Sequence, residues 1–337
     1  MHEMIRRQQI AVKATLATVE DHPSTLPLRD ARTRLLTTGI GTSFHAALAV
    51  ASAAREASPA RMVEARPAFD LLDRPDSAVA DLAIAFSESA ETHVTVRAIE
   101  LLRARKVPTV LVTAAPRGAG RDAATEVVET QHAQDGSWTH TVSYSAAVAA
   151  GWSLVQPRPD PAVEATVVEA IGDALALEPS VMETVEEIGD RDRFVLAGSS
   201  TGEATAREGA LKLREATRRF ATAVGVEELL HGVLPSVNAR TVVIALSATP
   251  FERARADQAL AAARHLDAQT WLLDTSGAAT AEGGLALPPV PPGIAPLVAV
   301  VPLQWLAYWT AVQDGLNPDL MGLDDPKVLA ARSSFGI

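Results

Sequence analysis

Arg34-Leu35-Leu36-Thr37-Thr38-Gly39 is a short apolar run that stops at a glycine, and Arg193-Phe194-Val195-Leu196-Ala197-Gly198 repeats the pattern 159 residues later. Two more pairs follow at nearly the same offset. Asp81-Leu82-Ala83-Ile84-Ala85-Phe86-Ser87 is answered by Thr241-Val242-Val243-Ile244-Ala245-Leu246-Ser247, and Thr109-Val110-Leu111-Val112-Thr113-Ala114 by Thr270-Trp271-Leu272-Leu273-Asp274-Thr275. Buried strands look alike, but likeness alone does not produce a constant spacing, so the chain reads as two copies of one unit. The runs are continuously apolar, as parallel strands covered on both faces require. Helical patterns alternate with them over 42–57, 91–106 and 139–155, then over 202–217 and 252–266. That alternation predicts an α/β fold with two tandem domains, each a doubly wound, mainly parallel sheet flanked by helices.

Residues 1–156 are assigned to the first domain with its N-terminal helix, 157–313 to the second, and 314–337 to a C-terminal tail. Gln156-Pro157-Arg158-Pro159-Asp160-Pro161 reads as the linker, because prolines stop the preceding helix. Residues 163–188 read as one helix leading into the second domain. Pro288-Pro289-Val290-Pro291-Pro292 reads as a rigid connector before an apolar helix over 296–312. That helix is short for a membrane span and is interrupted by Pro302 and Gln304, so a buried core helix is expected. The tail is rich in Gly, Asp and Pro with little periodicity, and such a tail either stays disordered or folds over a site.

The 337 residues carry 41 acidic and 30 basic side chains, a net charge of −11, and no cysteine. An acidic balance argues against a nucleic-acid backbone as partner. The absence of cysteine excludes disulfides, thiolate metal sites and a thiol nucleophile. The N-terminus has no apolar run, so no signal peptide is expected. The reading is a cytoplasmic protein with no membrane and no nucleic-acid partner. The histidines show no ligand spacing, so no metal is expected.

In an open parallel sheet, ligands sit at the C-terminal ends of the strands near the topological switch point. Gly39-Ile40-Gly41-Thr42-Ser43 follows a strand and opens a helix there. It is neither a dinucleotide fingerprint nor a Walker loop. A structural strand-to-helix turn explains such a Gly-x-Gly as readily as a ligand does. Ser87-Glu88-Ser89-Ala90-Glu91-Thr92 surrounds the next helix start with three hydroxyls. One turn of backbone can aim them at a phosphate; plain capping by Ser89 is the alternative. Two hydroxyl-rich loops at adjacent strand ends tip the balance toward a sugar-phosphate site in the first copy. The second copy offers acid–base groups instead. Glu208, Lys212 and Glu215 fall on one helix face, although such a stripe is usually a solvated salt-bridge face. His231 closes a short helix before Gly232, where most histidines are caps or surface residues.

Taken together these pieces resemble the sugar isomerase (SIS) family, and within it the double-SIS isomerase half of glucosamine-6-phosphate synthase. The resemblance runs over essentially the whole chain. Gly39-Ile40-Gly41-Thr42-Ser43-Phe44-His45-Ala46 is similar to the family's Gly-x-Gly-Thr-Ser-Tyr-x-Ala loop, and Ser87-Glu88-Ser89-Ala90-Glu91-Thr92 to its Ser-Gln-Ser-Gly-Glu-Thr loop. Glu208-Gly209-Ala210-Leu211-Lys212-Leu213-Arg214-Glu215, Glu228-Leu229-Leu230-His231-Gly232 and Val301-Pro302-Leu303-Gln304-Trp305-Leu306-Ala307-Tyr308 match three further segments. The resemblance implies that Gly41, Thr42, Ser43, Ser87, Glu88, Ser89 and Thr92 bind the substrate and its phosphate. It implies that Glu215 moves a proton between C1 and C2 of an open-chain sugar, supported by Lys212. His231 would assist ring opening and reach the neighbouring subunit's site, which implies a homodimer. It also implies two SIS domains without the synthase's glutamine-hydrolysing domain, whose nucleophile is a cysteine. No cofactor is expected, because an aldose–ketose shift through an enediol needs a base and a donor but no redox group.

Three departures bear on substrate and mechanism. The family tail carries a Schiff-base lysine where this chain has Ala331, and Arg332 cannot replace it, because a guanidinium stays protonated. Glu88 stands where the family has Gln, and a carboxylate facing phosphate costs about 4 kcal/mol at ~4 Å with an effective dielectric near ~20. Trp138-Thr139-His140-Thr141-Val142-Ser143-Tyr144 departs from the family's segment bordering the sugar pocket, and Trp138 would either stack on a sugar face or enter the core. The expectation is a phosphosugar isomerase acting on a sugar phosphate or amino-sugar phosphate. The alternatives are a deglycase or deaminase releasing an amine, an isomerase of an unphosphorylated sugar, and a non-catalytic sugar-phosphate sensor.

Overall fold

The computed structural model describes residues 1–75, 79–157, 160–278 and 284–334. In chain order, α1 (His2–Arg6) and α2 (Gln8–Glu20) precede β1 (Leu35–Gly39), α3 (Thr42–Ala57), β2 (Val63–Pro67), α4 (Ala68–Asp73), β3 (Leu82–Phe86) and α5 (His93–Ala104). Then come β4 (Thr109–Thr113), α6 (Ala119–Ala123), β5 (Glu126–Glu129), α7 (Val142–Val155), α8 (Pro161–Ala176) and α9 (Glu178–Ile188). The rest comprises β6 (Arg193–Ala197), α10 (Thr201–Thr217), β7 (Phe220–Val224), α11 (Val226–Glu228), β8 (Thr241–Ser247), α12 (Pro250–Arg264), β9 (Gln269–Asp274), β10 (Gly284–Ala286), α13 (Ala295–Gln313) and α14 (Pro326–Ser333).

The chain divides into two compact units. The first comprises the described residues of Arg7–Asp135, His140–Ala165 and Ala330–Ile337; the second comprises those of Met1–Arg6, Gly136–Thr139 and Thr166–Leu329. Each holds one five-stranded sheet, ordered β2-β1-β3-β4-β5 in the first unit and β10-β9-β8-β6-β7 in the second. Every pairing is parallel. Counted from each unit's first strand, the two orders are the same. The order reverses beside β1 in one sheet and beside β6 in the other, which places the switch points at the ends of β1 and β3 and of β6 and β8.

The central strands are buried along their whole length, β1, β3, β4 and β8 at every residue. The glycine that ends the quoted runs has a steric cause. A Cβ on Gly39 would lie 2.7 Å from the Ser43 carbonyl, and one on Gly198 2.4 Å from the Gly202 oxygen. Each strand therefore turns so sharply into its helix that only a bare Cα fits. Repeat spacing revealed the central strands but not β2, β5, β7 and β10. β2, β5, β7 and β10 lie at the sheet edges, half exposed or interrupted by charge, as in Glu64 and Arg66 of β2. An edge strand buries only part of its surface, so it lacks the continuous apolar signature.

Two helical expectations change. The single helix expected over 163–188 is two helices, because α9 begins with a proline in its first turn. Proline lacks the peptide N–H and clashes with the preceding turn, so the chain breaks and restarts. The tail is not irregular throughout. Asp325 accepts the Lys327 N–H at 2.8 Å as α14 begins, and Arg218–Asp324 and Arg219–Asp314 ion pairs of 2.5 and 2.6 Å tie the segment before it to the second unit. The expected linker and the end of the tail fall partly outside the described residues.

α13 is long and apolar enough to cross a membrane, yet 89% of its apolar window is buried. It packs against α10 and α9 as the core helix of the second unit. The approach to α10 is close: a Cβ on Gly209 would lie 2.6 Å from Leu303 Cδ1 and 2.8 Å from Leu196 Cδ2. α10 is thereby pressed between α13 and the sheet, which fixes the side chains on its neighbouring faces.

Candidate functional site

In the first unit, the β1–α3 and β3–α5 turns meet at the switch point. Gly41 caps α3 with φ 55° and ψ −129°, a conformation suited to glycine. The turn closes on itself, the Ser43 N–H donating to the Ile40 carbonyl at 3.1 Å and the Phe44 N–H to the Gly41 carbonyl at 2.9 Å. Thr42, Ser43, Ser87 and Glu88 line one recess with Thr113, Thr130 and Ser143. It has about 290 Å³ of empty space including its solvent opening, and its inner part is narrow, about the size of a water. Ser87 and Ser143 are 4% and 6% exposed, and neither hydroxyl has a hydrogen-bond partner among the described residues. Burying a hydroxyl unpaired costs free energy, so two of them on residues lining one recess call for a partner from outside the chain, a water or a ligand oxygen.

Ser89 and Thr92 lie outside that lining and are exposed. The Ser89 hydroxyl accepts the Glu91 N–H at 3.2 Å, and Thr92 takes the N-cap position of α5 without a side-chain cap bond. Capping by Ser89 is therefore not what starts the helix, which begins two residues later than the hydroxyl pattern suggested. Ala90 between them has φ 55°, a left-handed conformation uncommon for a residue with a Cβ.

Glu88 is half-buried in the recess. Burial pushes its carboxyl above the usual range; His140's charge and the Asp135 peptide N–H pull it back, and the Asp135 charge adds to the rise. Asp135 itself accepts the peptide N–H groups of Thr141 at 3.1 Å and Ser143 at 3.0 Å. It thus anchors the start of α7, which carries Ser143 into the recess.

The corresponding strand ends of the second unit are filled from within. Ser247, the counterpart of Ser87, donates to Asp274 Oδ1 at 2.5 Å. Arg253 meets the other carboxylate oxygen at 2.9 Å, and the Ser276 hydroxyl joins it at 2.8 Å. Asp274 stands where the first unit has Thr113, and it is 7% exposed. An internal carboxylate therefore satisfies Ser247, whose counterpart Ser87 is left unpaired in the first unit.

On α10, Glu208 and Lys212 are completely buried, not solvated. The Lys212 ammonium lies 3.4 Å from Glu208 and 2.6 Å from Glu215. The Glu215 side chain keeps 17% of its surface exposed, so the cluster opens to solvent through this carboxylate alone. Buried ion pairs are weak contributors to stability, because desolvation offsets the attraction. A Glu–Lys–Glu cluster buried beside the core helix is thus poorly explained as a stabilising device.

His231 lies in a π-helical turn, Leu229–Val233. Its ring is 76% exposed and 3.2 Å from Glu227. Trp138 is 54% exposed, so the core is not its place; its peptide N–H donates to the Asp319 carbonyl at 2.9 Å in the second unit. Ala331 is exposed on α14.

The SIS domain signature matches residues 27–156 and 187–313. The chain belongs to the SIS domain family. This SIS chain is 28% identical over 341 residues to the glutamine–fructose-6-phosphate aminotransferase (isomerizing) of Pyrococcus horikoshii, covering 95% of this chain and 56% of that one. It thus spans little more than half the length of that relative. Among solved structures it is similar to tagatose-6-phosphate ketose/aldose isomerase from Escherichia coli, with a TM-score of 0.83, 22% identity and 95% and 94% of the two chains covered. It is also similar to glucosamine-6-phosphate deaminase from Thermotoga maritima, with a TM-score of 0.76, 18% identity and 94% and 96% covered.

Within this SIS chain, sequence reasoning did not single out Thr113 as a lining residue of the recess or Asp135 as the anchor of Ser143, and it reached Ser143 and His140 only as part of the 138–144 segment. Asp135 acts eight residues ahead of Ser143, outside the spacing of any local cap. Thr113 ends a strand, where only the register shows which neighbour it faces.

Proposed function

We propose that this chain is a phosphosugar isomerase that interconverts an aldose and a ketose phosphate through an enediol. The observation that carries the reading is the pair of buried, unpartnered hydroxyls, Ser87 and Ser143, facing the recess that Thr42 and Ser43 also line. Such hydroxyls suit the oxygens of a phosphate. Ser89, Thr92 and Gly41 would complete the loops around it, and Trp138 would contribute an aromatic face to a sugar.

Glu215 is the base in this reading. Its carboxylate is the open member of the α10 cluster, and Lys212 fixes one of its oxygens. It would take the proton from C2 of an aldose and return it to C1, while a hydroxyl proton passes from O2 to O1. The C1 carbonyl becomes a hydroxyl and the C2 hydroxyl a carbonyl, with no change in overall oxidation state. Glu208 balances the Lys212 charge. The exposure of His231 suits a residue offered to a second copy of the chain, where it would assist ring opening. An isomerisation of this kind needs no imine to the enzyme and therefore tolerates Ala331.

The test is a panel of hexose, pentose and amino-sugar phosphates with their unphosphorylated counterparts, screened by thermal shift and then for turnover. Stabilisation and isomerisation with phosphorylated members only is the expected result. Release of ammonia or an amine in the same assay would replace isomerisation with an amine-releasing reaction. Stabilisation by unphosphorylated sugars alone would overturn the phosphate assignment.

A further inference from the structure

Glu88 puts a carboxylate-bearing residue in the lining of the proposed cradle, and among the described residues no cation forms a salt bridge with it. The recess residues of α3 and the β4 end, Thr42, Ser43 and Thr113, carry no charge. The charged or titratable groups acting on Glu88 are His140 and Asp135, both from the segment before α7. Asp135 has its oxygens engaged by the Thr141 and Ser143 peptides, and Thr113 donates to the Glu88 carbonyl rather than its carboxyl.

We propose that Glu88 makes the recess selective for a protonatable oxyanion: it binds a phosphate group together with one shared proton and discriminates against sulfate. This deepens the phosphosugar reading and rests on it. An ionised carboxylate repels a dianion held beside it. One proton between them turns the repulsion into a charge-assisted O–H···O⁻ bond. A phosphate group can bring that proton, since its second ionisation falls near pH ~6. A sulfate cannot, and can bind well only when Glu88 itself is protonated. The raised carboxyl of Glu88 suits this sharing, because its proton affinity moves toward that of phosphate. The family glutamine could not do the same, since an amide does not titrate.

The experiment is isothermal titration of the wild-type chain and Glu88→Gln with inorganic phosphate and with inorganic sulfate at pH 8, in two buffers of different ionisation heat. Circular dichroism confirms that the variant folds. The wild type is expected to bind phosphate at least about tenfold more tightly than sulfate, with no net proton uptake on binding phosphate, because the hydrogen phosphate dianion brings the shared proton, and with close to one proton taken up per sulfate bound. Glu88→Gln is expected to bind both anions with similar affinity and without proton uptake. Equal affinity of the wild type for the two anions, or a preference for phosphate unchanged in Glu88→Gln, would overturn the proposal while leaving the cradle an anion site. If neither protein binds phosphate, the phosphate reading of the recess fails and the proposal with it. If the variant does not fold, the wild type decides the matter alone: tighter binding of phosphate without proton uptake supports the proposal, and equal affinity for the two anions overturns it.

Discussion

Gly41 and Ser200 hold the same backbone conformation at equivalent places in the two units. Gly41 has φ 55° and ψ −129° at the start of α3, and Ser200 has φ 50° and ψ −119° at the start of α10. The first position has the residue suited to that geometry, and the second carries a Cβ there. Replacing Ser200 by glycine should therefore stabilise the second unit by about 1 kcal/mol. Chemical denaturation of Ser200→Gly against the wild type measures this; a loss of stability would show that the turn is not strained.

The relation also shows what was legible in the sequence. Gly39 and Gly198 announced two equal strand-to-helix turns, because a glycine forced by a backbone 2.4–2.7 Å away is visible as a residue type. The strain at Ser200 was not, since a serine there looks like an ordinary cap. The Glu208–Lys212–Glu215 stripe gave the helix face but suggested a solvated surface. Only packing against α13 shows it to be buried, and that depends on Gly209 and Leu303, which lie far apart in the chain. The Ser87 loop was readable as a hydroxyl cluster. Ser143, on the same recess, was read only as part of the 138–144 segment and not beside Ser87, because α7 brings it there from another part of the fold.

Gly209 should tolerate no side chain. A methyl group would collide with Leu303 and Leu196, whose atoms lie 2.6 and 2.8 Å from the Cβ position. Gly209→Ala is expected to cost about 1–3 kcal/mol by overpacking. Thermal unfolding should show a clear fall in midpoint. An unchanged midpoint would mean that α10 and α13 move apart freely.

Glu88 should make stability depend on pH in a definite direction. Its carboxyl is raised in the folded chain, chiefly by burial, so the unfolded chain ionises first. Its contribution is fully present below the unfolded value near pH ~4.3 and is lost as pH rises through the folded one. Glu88→Gln should accordingly be more stable than the wild type at neutral pH, with the gap closing below pH ~4. Unfolding midpoints of both proteins across that range test the sign; a gap that widens in acid would contradict it.

Asp274 should be needed for folding of the second unit. Its carboxylate satisfies Ser247, Ser276 and Arg253, and Arg253 is only 8% exposed. Removing one member of a buried pair leaves the other charge uncompensated, at a cost of about 3–5 kcal/mol. Asp274→Ala should lose stability on that scale, less whatever Asp257, 3.0 Å from Arg253, retains. A neutral effect by chemical denaturation would show that the cluster relaxes without it.

The central claim is that Glu215 transfers the proton between C1 and C2. Proton NMR in deuterium oxide follows it directly on a sugar phosphate that the wild type turns over. The wild type should place deuterium at C1 or C2, and Glu215→Gln should slow that exchange by about 10²–10⁴-fold while still binding the substrate. Exchange by Glu215→Gln at the wild-type rate would contradict the account.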